Sequence, residues 1–119
     1  MQRLHNIRVL LNEYAQKSDM DYHYACIITF GDKIISIGYN KYRQKKVSKT
    51  HCKKRKNSGY YSRHAEEDAL IKVPKSINLK KCNIYIGKVV NGQVVQGYPC
   101  KMCMRFLKSR GVECINKID

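Results

Sequence analysis

Two short stretches carry side chains that could act together: His64-Ala65-Glu66 and Pro99-Cys100-Lys101-Met102-Cys103. Cys100 and Cys103 are three apart, so on a helix they share one face. At a helix N-terminus the positive end of the dipole favours their thiolates. Such a pair alone serves redox chemistry as readily as metal binding. His64 turns the reading towards metal. One imidazole and two sulfurs leave the fourth position of tetrahedral zinc open, the mark of a catalytic rather than a structural site. Glu66 stands two residues beyond the histidine. In the first turn of a helix it can lie beside a metal off the helix end without binding it. A carboxylate there can take a proton from zinc-activated water and pass it to a leaving group.

These residues need elements to bring them together. Leu4, Ile7, Leu10, Leu11 and Tyr14 recur at helical spacing and predict an amphipathic helix over residues 3–17. Residues 23–30 read as a strand buried on both faces. Gly31-Asp32 turns the chain, and residues 33–39 return as a second strand. A loop then runs to about residue 59. Residues 61–73 have helical composition, stopped by Pro74. Residues 81–90 and 93–97 read as strands joined by Asn91-Gly92, a strong type I′ hairpin signal. Pro99 suits the first position of a further helix, with Gly111 past its end. Residues 112–118 predict a last strand. Strands alternating with helices after an opening hairpin give an α/β layered domain with a mixed sheet.

The chain of 119 residues fits a single domain, residues 1–119. No run of 18 apolar residues occurs, so no membrane helix is expected. The first twelve residues lack the apolar core of a secretory signal. The expected location is intracellular, cytoplasmic or nuclear, where cysteines serve as thiols or ligands rather than disulfides. Cys26, Cys82 and Cys114 fall in predicted strands and read as small core residues. His5 and His23 read as surface or strand residues. The net charge is +15, and nine Lys or Arg with no acid lie in 41–56. That loop suits the phosphate of a nucleotide or the backbone of a single-stranded nucleic acid, or is simply a solvated basic loop. Within it Lys45, Lys46, Lys53, Lys54 and Arg55 are candidate phosphate contacts as a group.

The order His-x-Glu … Pro-Cys-x-x-Cys, each half opening a predicted helix, resembles the signature of zinc nucleobase deaminases. Together with the HAEEDAL and PCKMC forms, it makes the chain resemble the cytidine deaminase superfamily, most of all its cytidylate and deoxycytidylate deaminase branch. The resemblance runs from the first hairpin to the last strand. It implies a three-layer α/β/α cytidine deaminase-like fold around a central mixed sheet. It implies Zn2+ on His64, Cys100 and Cys103, and a proton shuttle at Glu66. Asn40 matches an asparagine that contacts sugar or base in similar enzymes, and the backbone of Ala65 matches one that contacts the base.

Family members usually continue with another strand and helix, so the domain is expected to be C-terminally short. Its pocket would be closed by a partner subunit in a homo-oligomer, left open to a large substrate, or walled by the Asn91-Gly92 hairpin. His51-Cys52 resembles residues that hold a second zinc in some relatives, but the sequence offers no evident set of four ligands for one. Tyr60 and Tyr61 are candidates to line the pocket, and Arg63 to meet a phosphate. The implied activity is hydrolytic deamination of a cytosine nucleotide or nucleoside. The alternatives are deamination of cytosine or adenine within single-stranded DNA, RNA or tRNA, and a non-catalytic zinc domain that binds nucleic acid.

Overall fold

The computed structural model describes residues 2–44 and 60–118. Helix α1 (Gln2–Ala15) leads into the hairpin of β1 (Tyr24–Phe30) and β2 (Lys33–Tyr39), with Gly31 at φ 62° in its turn. A short ribbon follows, β3 (Lys41–Gln44) paired with β4 (Tyr60–Arg63), then α2 (Ala65–Ile71). A 3-10 turn (Leu79–Lys81) enters the hairpin of β5 (Cys82–Val90) and β6 (Gln93–Gln96), and α3 (Lys101–Ser109) comes last. Asn91 and Gly92 both have positive φ, 52° and 80°, as a type I′ turn requires.

The main sheet runs β2-β1-β5-β6, with every ladder antiparallel. Its core divides by strand period. Ala25, Ile27 and Tyr85 face Ile7, Leu11 and Ala15 of α1. Cys26, Ile28, Ile84 and Ile86 face Ala65, Ala69 and Leu70 of α2 and Leu107 of α3. This is the expected three-layer α/β/α arrangement. Ile7, Leu11, Ile27 and Ile28 are fully buried, and each such side chain contributes about 1.5–3 kcal/mol by leaving water. Gly38 lets β2 lie directly on α2: a Cβ there would overlap the Ala69 amide and stand 2.7 Å from the Ala65 carbonyl oxygen.

Four expectations need correction. Helix α2 starts at Ala65 rather than 61, because residues 60–63 pair with 41–44 instead. Tyrosines on both segments favour that ribbon. Pro99 precedes the helix rather than opening it, since Cys100 takes the cap position. Residues 112–118 form no full strand. Their one bridge, Tyr85 with Asn116, is parallel, while the four strands of the sheet are antiparallel throughout.

Side-chain amides replace much of that missing ladder. Asn116 accepts the Ile84 N–H at 2.9 Å, and Gln96 accepts the Ile118 N–H at 3.0 Å. Finally, Cys26 is a core residue as expected, but Cys82 is half-buried and Cys114 exposed. Each lies where the chain leaves regular pairing.

Candidate metal centre and cavity

The two helices α2 and α3 present their N-termini to one another. His64 is the cap of α2, in extended conformation, and Glu67 reaches back to accept its backbone N–H at 3.3 Å. Cys100 is the cap of α3, and its sulfur accepts the Cys103 N–H at 3.4 Å. Two cap positions therefore become two ligand positions, fixed by the same backbone geometry that starts each helix.

His64 Nδ1 stands 3.1 Å from Cys103 Sγ and 3.7 Å from Cys100 Sγ. All three candidate ligand atoms lie within 4.8 Å of one another. Zinc at about 2.0 Å from nitrogen and about 2.3 Å from sulfur would set tetrahedral N···S separations near 3.5 Å. The observed pair brackets that value, so the donor set fits zinc in distance as well as chemistry. Among the described residues no fourth His, Cys, Asp or Glu joins the cluster.

Glu66 is buried, at 5% exposure, and lies against this cluster. Burial raises its pKa; its own backbone N–H, His64 and a hydrogen bond with Cys103 pull the other way without cancelling the rise. The carboxyl thus holds a proton to higher pH than an ordinary glutamate. Burial, with Glu66 and Cys100 close by, also pushes the Cys103 thiol up strongly. Cys26, buried on the same face of the sheet, is pushed up by burial and by Glu66 and Asp68, which leaves it an inert thiol.

A cavity of about 280 Å³ opens onto the site. His64, Ala65, Glu66 and Cys100 line its floor, and Asn40, Met20, Tyr22, Tyr24 and Tyr98 its walls. Asn40, His64, Ala65, Glu66 and Cys100 all line this cavity, with Cys103 just behind the lining. Asn40 is also a structural clamp. Its Oδ1 accepts the Tyr24 N–H at 2.9 Å, and its Nδ2 donates to the Tyr22 carbonyl at 2.6 Å. The Asn91-Gly92 turn is not part of the wall; Tyr98, just beyond β6, is.

Sequence reasoning missed Asp68. It is 1% exposed and gathers three cations: Lys41 at 3.1 Å, Arg63 at 3.2 Å and Lys72 at 3.4 Å. It also accepts the Tyr39 N–H at 3.2 Å. Burial works to raise its pKa, but the Lys41 hydrogen bond and charge, with Lys72 and Arg63, outweigh it and hold the carboxyl low. Arg63 is therefore committed within the chain rather than offered to a phosphate. Lys41 and Arg63 face each other across the β3–β4 ribbon, so Asp68 fastens the ribbon's base to the helix that carries Glu66. The i,i+4 pair with Lys72 was visible in the sequence. The other two partners come from the ribbon, which was not.

His23 is no ligand. Its ring nitrogen hydrogen-bonds the Ala15 carbonyl at 3.1 Å. His51, Cys52 and the lysines and arginine of 45–59 lie outside the described residues, as do the side chains of His5, Tyr60 and Tyr61. Among the described residues no helix is long and apolar enough to cross a membrane.

No curated protein matches the chain. A sequence model described as "Cytidine and deoxycytidylate deaminase zinc-binding region" matches residues 1–116, nearly the whole length. With His64, Cys100 and Cys103 gathered in one cluster beside the cavity, the chain belongs to the cytidine and deoxycytidylate deaminase zinc-binding family.

Proposed function

We propose that the protein hydrolyses the exocyclic amine of a cytosine nucleotide or nucleoside, of the deoxycytidylate or cytidylate kind, giving the uracil form and ammonia. The observation that carries this reading is the buried Glu66 carboxyl between a three-donor cluster and a cavity wide enough for a base. Zinc on His64, Cys100 and Cys103 would supply Lewis acidity, which in favourable sites brings the pKa of a coordinated water near 7.

The chain's own residues account for the rest. Glu66 takes the proton from the attacking water, delivers it to the ring nitrogen, and then carries a second proton to the amine. A carbon–oxygen bond forms, the carbon–nitrogen bond breaks, and ammonia leaves. A carboxyl with a raised pKa suits a group that must both accept and return a proton near neutrality. The Ala65 backbone meets the edge of the base. Asn40, held by Tyr22 and Tyr24, presents its remaining amide capacity to sugar or base. Tyr22, Tyr24 and Tyr98 offer rings for stacking.

A second reading has its own support. The nine cations of 41–56 exceed what one monophosphate needs, and the ribbon in which that stretch begins is anchored beside the site through Asp68. A strand of nucleic acid would then be the substrate.

The test is ammonia release from deoxycytidylate, cytidylate, cytidine, single-stranded DNA and tRNA by zinc-loaded protein. Turnover of a mononucleotide upholds the first reading. Turnover of a polymer alone, falling steeply with salt, upholds the second. Silence on every substrate leaves a zinc domain without catalysis. Glu66→Ala should keep its zinc and lose at least about a hundredfold in kcat. Retained turnover would refute the shuttle.

A further inference from the structure

The strand period that divides the core also places one lysine. Ile84 and Ile86 of β5 face α2 and α3, and Lys88 is the next residue in that row. Across the ladder it pairs with Tyr24, itself one step beyond Cys26 on the same face. Its ammonium stands 5.8 Å from the centre of the Tyr24 ring and 6.0 Å from that of Tyr22. Both rings line the cavity. A lysine thus continues the apolar row where it meets the cavity wall.

Two cations of the neighbouring ribbon are spoken for. Lys41 and Arg63 belong to Asp68. Lys88 has no carboxylate partner among the described residues. It is half-buried, so its charge is poorly screened by water. Contact with two ring faces at about 6 Å is weak and leaves all three of its N–H donors free for an anion.

We infer that Lys88 binds the 5′-phosphate of a mononucleotide whose base sits over Glu66, so that the Lys88–Tyr22–Tyr24 group forms a phosphate subsite. The inference rests on the proposed deaminase reading for the orientation of the base. An ammonium meeting a phosphate makes a charge-assisted hydrogen bond, which changes affinity about tenfold to a hundredfold. The subsite would therefore make the protein favour a monophosphate over its nucleoside.

The test is calorimetric binding to zinc-loaded Glu66→Gln protein, which holds substrate without consuming it. The probes are deoxycytidine 5′-monophosphate, deoxycytidine and a short cytosine-containing single-stranded oligonucleotide. The monophosphate should bind at least about tenfold tighter than the nucleoside. Adding Lys88→Met, which keeps the apolar stem over the rings, should bring it to the nucleoside's level and leave the nucleoside unchanged. Lys88→Arg should retain the preference. Lys108→Ala, which removes an equal charge from an exposed position at the end of α3, should leave it intact.

An unchanged preference in Lys88→Met overturns the inference. So does an equal loss for nucleoside and monophosphate, an effect on the oligonucleotide alone, or no binding of the monophosphate. Zinc content and the melting transition confirm that each variant is folded. Lys88-dependent binding without ammonia release by the unmutated protein would sink the deaminase reading and leave the subsite standing.

Discussion

Replacing Asp68 by Asn keeps the size of the side chain and removes its charge. Three cations within 3.4 Å then face a neutral amide in a position that is 1% exposed. Removing one partner of a fully buried pair costs about 3–5 kcal/mol. The partners here are not fully buried: the side chains of Lys41, Arg63 and Lys72 are 27%, 18% and 49% exposed. They can turn partly to water, which lowers the expectation to about 2–3 kcal/mol. The Asn oxygen can still accept the Tyr39 N–H, so the loss is mainly electrostatic.

Urea unfolding at pH 7 measures that difference directly. Its pH dependence then isolates the carboxylate. The Asp68 pKa is lower in the folded chain than the ordinary value of 3.8. Its contribution to stability is therefore complete well above pH 3.8 and is lost as pH falls from there through the depressed value. The gap between wild type and Asp68→Asn should stay constant from pH 7 to about 5 and close in stronger acid. A gap under about 0.5 kcal/mol at pH 7, or one indifferent to acid, would show that the three ion pairs contribute nothing net. In an ammonia-release assay the variant should raise KM more than it lowers kcat, because the ribbon loses its ion pairs while Asn40 keeps its hydrogen bonds to Tyr22 and Tyr24 and Glu66 keeps its place.

Two further outcomes follow from the same geometry. Burial keeps Cys103 protonated in the metal-free protein, so zinc must displace that proton; the zinc dissociation constant should fall by at least about tenfold per pH unit near neutrality, measured by chelator competition, and a pH-independent constant would contradict this. Gly38→Ala forces a methyl group against the α2 backbone at Ala65 and Ala69 and should destabilise the protein by about 2 kcal/mol or more, with a shifted zinc site; unchanged unfolding would mean that α2 is not held as closely as its contacts imply.

The candidate metal site was legible because its signals are local. His64, Glu66, Cys100 and Cys103 stand out by residue type and short spacing, which the sequence displays directly even though both helices start later than composition suggested. The hairpin of β1 and β2 was legible to the residue at its second strand, and the Asn91-Gly92 turn for the same reason of local conformation. What escaped was long-range. The ribbon β3–β4 joins residues 41–44 to 60–63 across an intervening basic stretch, and no periodicity in either segment announces the partner. The final segment reads as a strand by composition. In the fold it makes one bridge to β5, while the Asn116 and Gln96 side chains make hydrogen bonds that a ladder would otherwise provide.

The ribbon matters to the chemistry because of where it stops. Had the helix begun at residue 61, His64 would stand on its flank, and a residue two positions on would point away from it. With β4 ending at Arg63, His64 becomes the cap and Glu66 falls in the first turn, so both face the space beyond the helix end. Arg63 and Lys41 reach Asp68 in the same turn of chain. The end of the ribbon, the start of the helix and the position of the Glu66 carboxyl in its first turn are set together. The charge on Asp68 is the element of that arrangement that a single substitution can remove.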